Sequence, residues 1–587
     1  MRASNAPDLR ALLEMRQAVP LSFSHDGAQL LVASNLPGTH QLYVLPARGG
    51  ELAQLTRYDE PVSGFFLPDD RVLVEIDAGG NERTQLYVLD GGSVEELVVD
   101  PRFVHRTPRV GGNVLAYSTN RRNGVDFDVV ARDLATGEER VFELGGNCSV
   151  ESVSPDGLQV AVERVGDESG DGDIYLCHTE TGAIRHLTPH EGAAEYFSVQ
   201  WLGDRLVMTT NEDRDTFAIV VDGERVHVSD WDLDCCVDDS GRHLLVLANE
   251  DGYSRLELYD AQTHVLLAEV ATPGNGVVEH PVFSRDGSLL AYAFSSPVEP
   301  HDVYLYDIGA ATTTRLTTSP REVAPETLVE PALHRFESFD GESVPVFLFE
   351  PEGEGPFPVV VTVHGGPESQ WLPWFGPSFA PLTQYLVAHG YAVAAPNVRG
   401  STGYGKRYEH LDDIEKRLDS VADLASLHGW LSARPEIDGS RAVVYGRSYG
   451  GYMVLAALAL QPELWAAGIE CVGISSLVTF LENTSPYRRA AREREYGSLE
   501  RDRAFLIEAS PMTHIDAIRA PLFIQHGRND PRVPVSESEH IHGVLEQKGI
   551  PCELLIFEDE GHTVEKLANR IETFTRMAAF LERVVGT

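Results

Sequence analysis

The chain has 587 residues, 42% of them hydrophobic and 23% charged, with a formal net charge of −43 and a pI near 4.8. That length exceeds one ordinary core and predicts two or three domains, and the surplus of carboxylates excludes a nucleic-acid partner, whose phosphates require clustered Lys and Arg. Cys148, Cys177, Cys235, Cys236, Cys471 and Cys552 form no CxxC pair, which predicts free structural thiols and neither disulfides nor a zinc site; no spacing points to another metal or an organic cofactor.

Residues 1–18 are charged and interrupted, with no apolar run of signal-peptide length, and nothing downstream reads as a spanning segment. The expectation is a cytoplasmic protein without a membrane partner. Leu9, Leu12 and Leu13 fall at helical spacing, predicting a short amino-terminal helix docked on a neighbouring domain.

From about 19 to 320 one unit repeats: an alternating strand, a tight turn, a second apolar strand, then a strand carrying an aromatic. LSFSHDGAQLLVASN followed by QLYVLP is the first copy, and Asp26-Gly27 is its hairpin turn. Comparable turns recur at Asp69-Asp70, Gly111-Gly112, Asp156-Gly157, Gly203-Asp204, Ser240-Gly241 and Asp286-Gly287. Their spacing of roughly 37 to 47 residues is that of four-stranded propeller blades, so seven turns predict a seven-bladed β-propeller. A pair of β-sandwiches is the plainer alternative.

Over 321–587 the grammar changes. PVVVTV, AVAAP, RAVVYG, PLFIQ and ELLIF alternate with helical stretches, and such uniformly apolar strands predict a parallel sheet covered on both faces by helices, the pattern of an α/β hydrolase.

Gly446-Arg447-Ser448-Tyr449-Gly450 matches G-x-S-x-G between a strand and a helical run, the context a nucleophile turn requires. A serine hydroxyl is a weak nucleophile at neutral pH and needs a base, which in turn needs a carboxylate to orient it. Asp530 and His562 follow the strands PLFIQ and ELLIF, at the sheet edge where active groups gather. His526 and His364 compete as bases, and Asp559 and Glu560 as the acid. The backbone N–H of Tyr449 and that of Gly366, in His364-Gly365-Gly366-Pro367, are candidate oxyanion donors. The plainer reading of the latter is an ordinary turn.

HGGP, PNVRGSTGYG, GRSYGG, HGRNDPRVP and DEGH together resemble the prolyl oligopeptidase family of serine peptidases, in its acylaminoacyl-peptidase-like branch, over nearly the whole chain. The resemblance implies a propeller stacked over the active site, short peptides as substrates, and Arg532 lining the substrate site. The stretch after GYG, KRYEHLDDIEKRLDS, departs from the family, and no YEE-like glutamate pair occurs in the first domain, which counts against amino-terminal dipeptide release.

Three readings stay open for the substrate: a peptidase, a carboxylesterase that leaves the propeller without a role, and a carboxypeptidase-like variant. The last uses Arg488, Arg489, Arg528 and Arg532 to hold a carboxylate, against the alternative that some line a solvated helix. The apolar run from Val472 to Phe480 reads equally as pocket wall and as core. A homo-oligomer is compatible with the sequence but not specified by it.

Overall fold

The computed structural model describes residues 6–586, so the first five residues of the predicted extension lie outside the described residues. Residues 18–315 form seven four-stranded antiparallel sheets, each from four consecutive strands. Every turn named above joins the first and second strands of one blade, from Ala18–Phe23 and Gln29–Ser34 in blade 1 to Val277–Phe283 and Leu289–Ser296 in blade 7. In blades 1, 4 and 7 a serine two residues before the turn aspartate fixes it: Ser24 donates to Asp26 at 2.7 Å, Ser154 to Asp156 at 2.6 Å and Ser284 to Asp286 at 2.7 Å. The aspartate thereby takes the place of a backbone acceptor at the bend.

Because each blade is built from consecutive strands, the ring closes through side chains. Leu30, Val32 and Leu45 of blade 1 pack against Leu289, Val303 and Leu305 of blade 7. Each such buried side chain contributes about 1.5–3 kcal/mol, whereas the Arg48–Asp307 pair across the seam, with its arginine 65% exposed, contributes about 1 kcal/mol at most. The closure is therefore chiefly apolar.

The second unit is built on an eight-stranded sheet ordered Ala332–Glu337, Ser343–Phe349, Ala392–Pro396, Phe357–Val363, Ile437–Arg447, Ala467–Cys471, Leu522–Gly527 and Cys552–Phe557. The pairings are parallel from Ala392–Pro396 onward. Alternate residues of one strand enter two cores: Val359, Val361 and Val363 face the helices Arg417–Ser432, Tyr449–Leu460 and Ser536–Gln547, and Val360 faces Ala380–Ala388 and Leu567–Val584. Burial on both faces is why these strands read as unbroken apolar runs. Leu9 and Leu13 of the helix Leu9–Leu13 join the second core beside Phe574, and the Arg16 N–H donates to the Pro320 carbonyl at 3.2 Å. All six cysteines are free, and no helix among the described residues is long and apolar enough to cross a membrane.

Candidate active site

The strand Ile437–Arg447 passes straight into the helix Tyr449–Leu460, and Ser448 makes the bend with φ 60° and ψ −119°. A serine pays strain there, and the bend closes only between glycines. A Cβ on Gly446 would lie 2.2 Å from the Gly450 carbonyl oxygen, and one on Gly450 would lie 2.2 Å from that of Val363. The serine is thus raised at the carboxyl edge of the sheet. Tyr449 opens the helix, where a backbone N–H lacks an intrahelical acceptor; its phenol is turned into the core, donating to Asp412 at 2.9 Å and lying 2.7 Å from the Ser420 hydroxyl.

Asp530 and His562 leave the two neighbouring strands at the same edge. His562 Nδ1 lies 2.7 Å from Asp530 Oδ2, which leaves Nε2 for the cavity that His562 and Ser448 share. The other carboxylate oxygen of Asp530 accepts from the N–H groups of Arg532 at 2.8 Å and Val533 at 3.1 Å. Burial alone would raise Asp530, but the charges and hydrogen bonds of His562 and His526 outweigh it and hold the carboxyl well below the usual range. Burial pushes His562 down to about 4, against the opposing pull of Asp530. Its resting form at neutral pH is therefore the free base. Arg447 donates from Nη2 to the His562 carbonyl at 2.7 Å and also to Thr563 Oγ1, tying the base's loop to the nucleophile's strand.

The cavity encloses about 440 Å³ between the domains; Ser448, His562, Gly366, Glu368, Trp374 and Arg532 line it, with Pro297 from the propeller. Its rim on the acid's side is a propeller loop, residues 77–84 of blade 2. The Asn529 side chain donates to the Gly79 carbonyl at 3.0 Å. Gly80 and Gly561 meet backbone to backbone, so that a Cβ on Gly561 would lie 1.9 Å from the Gly80 oxygen. Glu82, held at φ 55°, accepts from Arg532 Nε at 2.5 Å and faces Arg488 at 3.6 Å.

Of the residues singled out in the sequence, Ser448, Asp530 and His562 converge, and Gly366 and Arg532 line the same cavity. Arg528 and Arg489 do not. Arg528 pairs with Glu539 at 2.6 Å and Glu558 at 3.0 Å on the surface, and Arg489 donates to the Glu482 carbonyl at 2.6 Å. The carboxylate reading of the four arginines loses these two: nearness in sequence put Arg528 beside Asp530, but the loop turns its side chain outward. Ile474, Leu477 and Phe480 belong to the hydrolase core, which decides the Val472–Phe480 run in favour of core.

Two carboxylates, Glu368 in the cavity and Glu82 at its rim, went unnoticed in the sequence. Glu82 had a signal, the flexible Gly79-Gly80 before it; Glu368, two residues after Gly366, lay in a motif read only for its backbone. Glu368 faces Arg492 at 3.4 Å. Burial would raise it, but Arg492 and Arg417 outweigh burial and lower it. Close behind, burial and the repulsion of Glu195 and Glu368 push Glu409 up to about 9. Among the described residues one trio, Asp412, Asp413 and Glu495, stands close enough to share a cation. The buried guanidinium of Arg417 already contacts Asp412 and Glu495.

Residues 377–587 match the family model described as prolyl oligopeptidase family, and residues 68–319 match that of its N-terminal beta-propeller domain. Dipeptidyl aminopeptidase BIII of Pseudoxanthomonas mexicana is 26% identical, covering 98% of this chain and 88% of its own length. Dipeptidyl peptidase family member 6 of Caenorhabditis elegans is 30% identical over 52% of this chain and 44% of its own length. In fold the chain is similar to a puromycin-hydrolyzing peptidase of Mycobacterium tuberculosis, with TM-score 0.85, 20% identity and coverage of 100% of this chain and 98% of that one. It is similar also to the acylaminoacyl peptidase of Pyrococcus horikoshii, with TM-score 0.75, 19% identity and coverage of 99% and 98%. A propeller over a serine-bearing α/β sheet defines a serine-type peptidase. The chain belongs to the prolyl oligopeptidase family.

Proposed function

We propose that the protein hydrolyses short peptides through an acyl-enzyme on Ser448. The observation that carries this reading is the 2.7 Å contact between His562 and Asp530 beside a strained serine, inside a cavity shared with that serine. His562 takes the Ser448 proton as the hydroxyl attacks the peptide carbonyl, then returns it to the leaving amine; water repeats the attack on the ester. Asp530 fixes the tautomer of His562 and stabilises the imidazolium. The N–H groups of Tyr449 and Gly366 receive the oxyanion. A propeller stacked over the cavity supports exclusion of folded proteins, and no step calls for a metal or organic cofactor.

A second step of this reading concerns the end of the peptide that is recognised. Glu368 lines the cavity as a carboxylate, a group that favours an ammonium. The name of dipeptidyl aminopeptidase BIII, matched over 98% of this chain and 88% of its own length, supports the same end. The sequence argument against dipeptide release sought a glutamate pair in the propeller alone, whereas Glu368 comes from the hydrolase. Carboxyl-end capture is disfavoured, since Arg532 and Arg488 already share Glu82, and a carboxylesterase leaves the propeller loop at the site without a purpose.

Peptide turnover tests the reading. The wild type should cleave short peptide amides and take up a fluorophosphonate on Ser448. Hydrolysis confined to activated esters would overturn the peptidase assignment.

A further inference from the structure

His526 is fully buried behind the acid, and neither the acyl-enzyme chemistry nor the cavity uses it. It is the penultimate residue of the strand Leu522–Gly527. Its Nε2 lies 2.9 Å from the Val533 carbonyl oxygen and 3.4 Å from Asp530 Oδ2, the oxygen that also meets His562. Its Nδ1 lies 2.7 Å from the hydroxyl of Ser538, on the helix Ser536–Gln547. That hydroxyl is 3.3 Å from Oε1 of Glu470, a fully buried carboxyl on the strand Ala467–Cys471 whose Oε2 accepts the Gly473 N–H at 2.7 Å. Glu470, Ser538, His526, Asp530 and His562 thus form one unbroken line through the interior.

Counting protons along this line constrains it. A carbonyl only accepts, so Nε2 carries a hydrogen. A serine hydroxyl has one hydrogen. If Ser538 gives it to an ionised Glu470, Nδ1 must donate to Ser538, and His526 is an imidazolium between two carboxylates. If Glu470 is protonated, its hydrogen goes to Ser538, that of Ser538 goes to Nδ1, and His526 is neutral. The two states differ by one proton passed through Ser538.

We propose that His526 is a positioning residue for the peptidase reaction, an imidazolium at working pH that holds Asp530 from behind and draws its charge balance from Glu470 through Ser538. The proposal rests on the assignment of Asp530 and His562 above. Burial favours a neutral ring, but the hydrogen bond and charge of Asp530, with Glu470 beyond, outweigh it and raise His526 above its usual value. Burial pushes Glu470 up to about 7, with Glu537 adding repulsion and His526 opposing it. Glu470 and His526 thus share one proton, and the carboxylate of Asp530, 3.4 Å from Nε2, favours its residence on His526. Cys552 and Cys471 also titrate near Glu470, and burial pushes both thiols up, that of Cys552 to about 12, leaving them neutral. On the far side, Arg447 and Arg532 face His562 together with Asp530.

An imidazolium behind Asp530 offsets part of the field that Asp530 exerts on His562 and so keeps the base easier to deprotonate. Nitrogen-15 spectra of the histidine-labelled full chain at pH 8 test this without relying on turnover. His526, assigned by its loss in His526→Gln or, should that variant not fold, by its shift in Ser538→Ala, should show both ring nitrogens protonated. A neutral tautomer at pH 8 overturns the proposal. The His562 resonance in His526→Gln or Ser538→Ala should titrate about half a unit or more higher than in the wild type, with the acid limb of kcat/KM following it. A variant that melts earlier but leaves the His562 titration unmoved reduces His526 to a packing residue and equally overturns it. Absence of peptidase activity with these titrations intact would count against the assigned function and not against the relay.

Discussion

Arg447 donates to the carbonyl oxygen of His562 at 2.7 Å, so the residue before the nucleophile holds the loop that carries the base. Its guanidinium is buried, and burial lowers its pKa from the usual arginine value. The x of G-x-S-x-G is therefore structural here: removing the side chain leaves a carbonyl unpaired beside the reacting groups. Arg447→Gln should lower kcat/KM by about tenfold or more, equivalent to about 1.4 kcal/mol at the barrier, while fluorophosphonate still labels Ser448, more slowly. Equal kcat/KM in variant and wild type would mean that the loop is held without it.

Ser448→Ala removes the nucleophile and almost no volume, since the bend is set by the flanking glycines. Peptide hydrolysis should fall by about a million-fold, the loss typical of triad knockouts, with the melting temperature unchanged, because alanine keeps the Cβ and the strained bend with it. Residual turnover above about one per cent in a preparation free of wild-type enzyme would be incompatible with Ser448 as nucleophile.

The base's pKa places the acid limb of the rate profile. An ordinary histidine near 6.5 would put that limb between pH 6 and 7, but burial brings His562 down to about 4. Since the neutral ring is the active form, kcat/KM should be level from about pH 5.5 upward and fall as pH drops through about 4. The profile should be taken on enzyme shown by circular dichroism to stay folded. A limb near 6.5 would indicate that His562 is hydrated in the free enzyme.

Arg532 and Glu82 join the acid's loop to the propeller across 450 residues of sequence, and with side chains 45% and 26% exposed the pair adds no more than about 1 kcal/mol to stability. Its effect should appear in catalysis. Glu82→Gln should leave the melting temperature within about 2 °C of wild type and change KM for short peptides at least several-fold, because Arg532 is released into the cavity. Unchanged kinetics would make the pair a simple interdomain contact.

The propeller was legible because each blade repeats its turn at a fixed place and three repeat the same serine-aspartate bond; the sheet was legible because Val359, Val360 and Val361 are buried on alternate faces, leaving no polar gaps. Ser448, Asp530 and His562 were legible because each directly follows a recognisable strand. Glu82 and Glu368 were not. Their places depend on how the blade 2 loop and the turn after His364 meet the cavity, a three-dimensional matter that the Gly79-Gly80 pair before Glu82 marks only as a loop. The arginines misled for the converse reason: Arg528 and Arg532 are four residues apart in one loop, yet one faces Glu558 outside and the other Glu82 at the rim.

In the proposed reading, Glu368 selects the end of the peptide that is recognised. It lines the cavity two residues beyond Gly366, on the side of the oxyanion donors, and Arg492 at 3.4 Å keeps it ionised but is itself engaged. Glu409, pushed up to about 9, is protonated at neutral pH and adds no charge until a cation arrives to favour its ionised form. A free amino terminus is such a cation and an acetylated one is not. Wild-type enzyme should therefore cleave a free-amine peptide about tenfold or more faster in kcat/KM than its acetylated twin, a difference of about 1.4 kcal/mol, and should be indifferent to amidation of the carboxyl end. In Glu368→Gln the preference should collapse, chiefly through the free-amine substrate, while fluorophosphonate labelling of Ser448 proceeds as before. Faster cleavage of the acetylated peptide by the wild type would reverse the reading toward blocked amino termini, and a loss on carboxyl amidation would return the choice to Arg532 and Arg488.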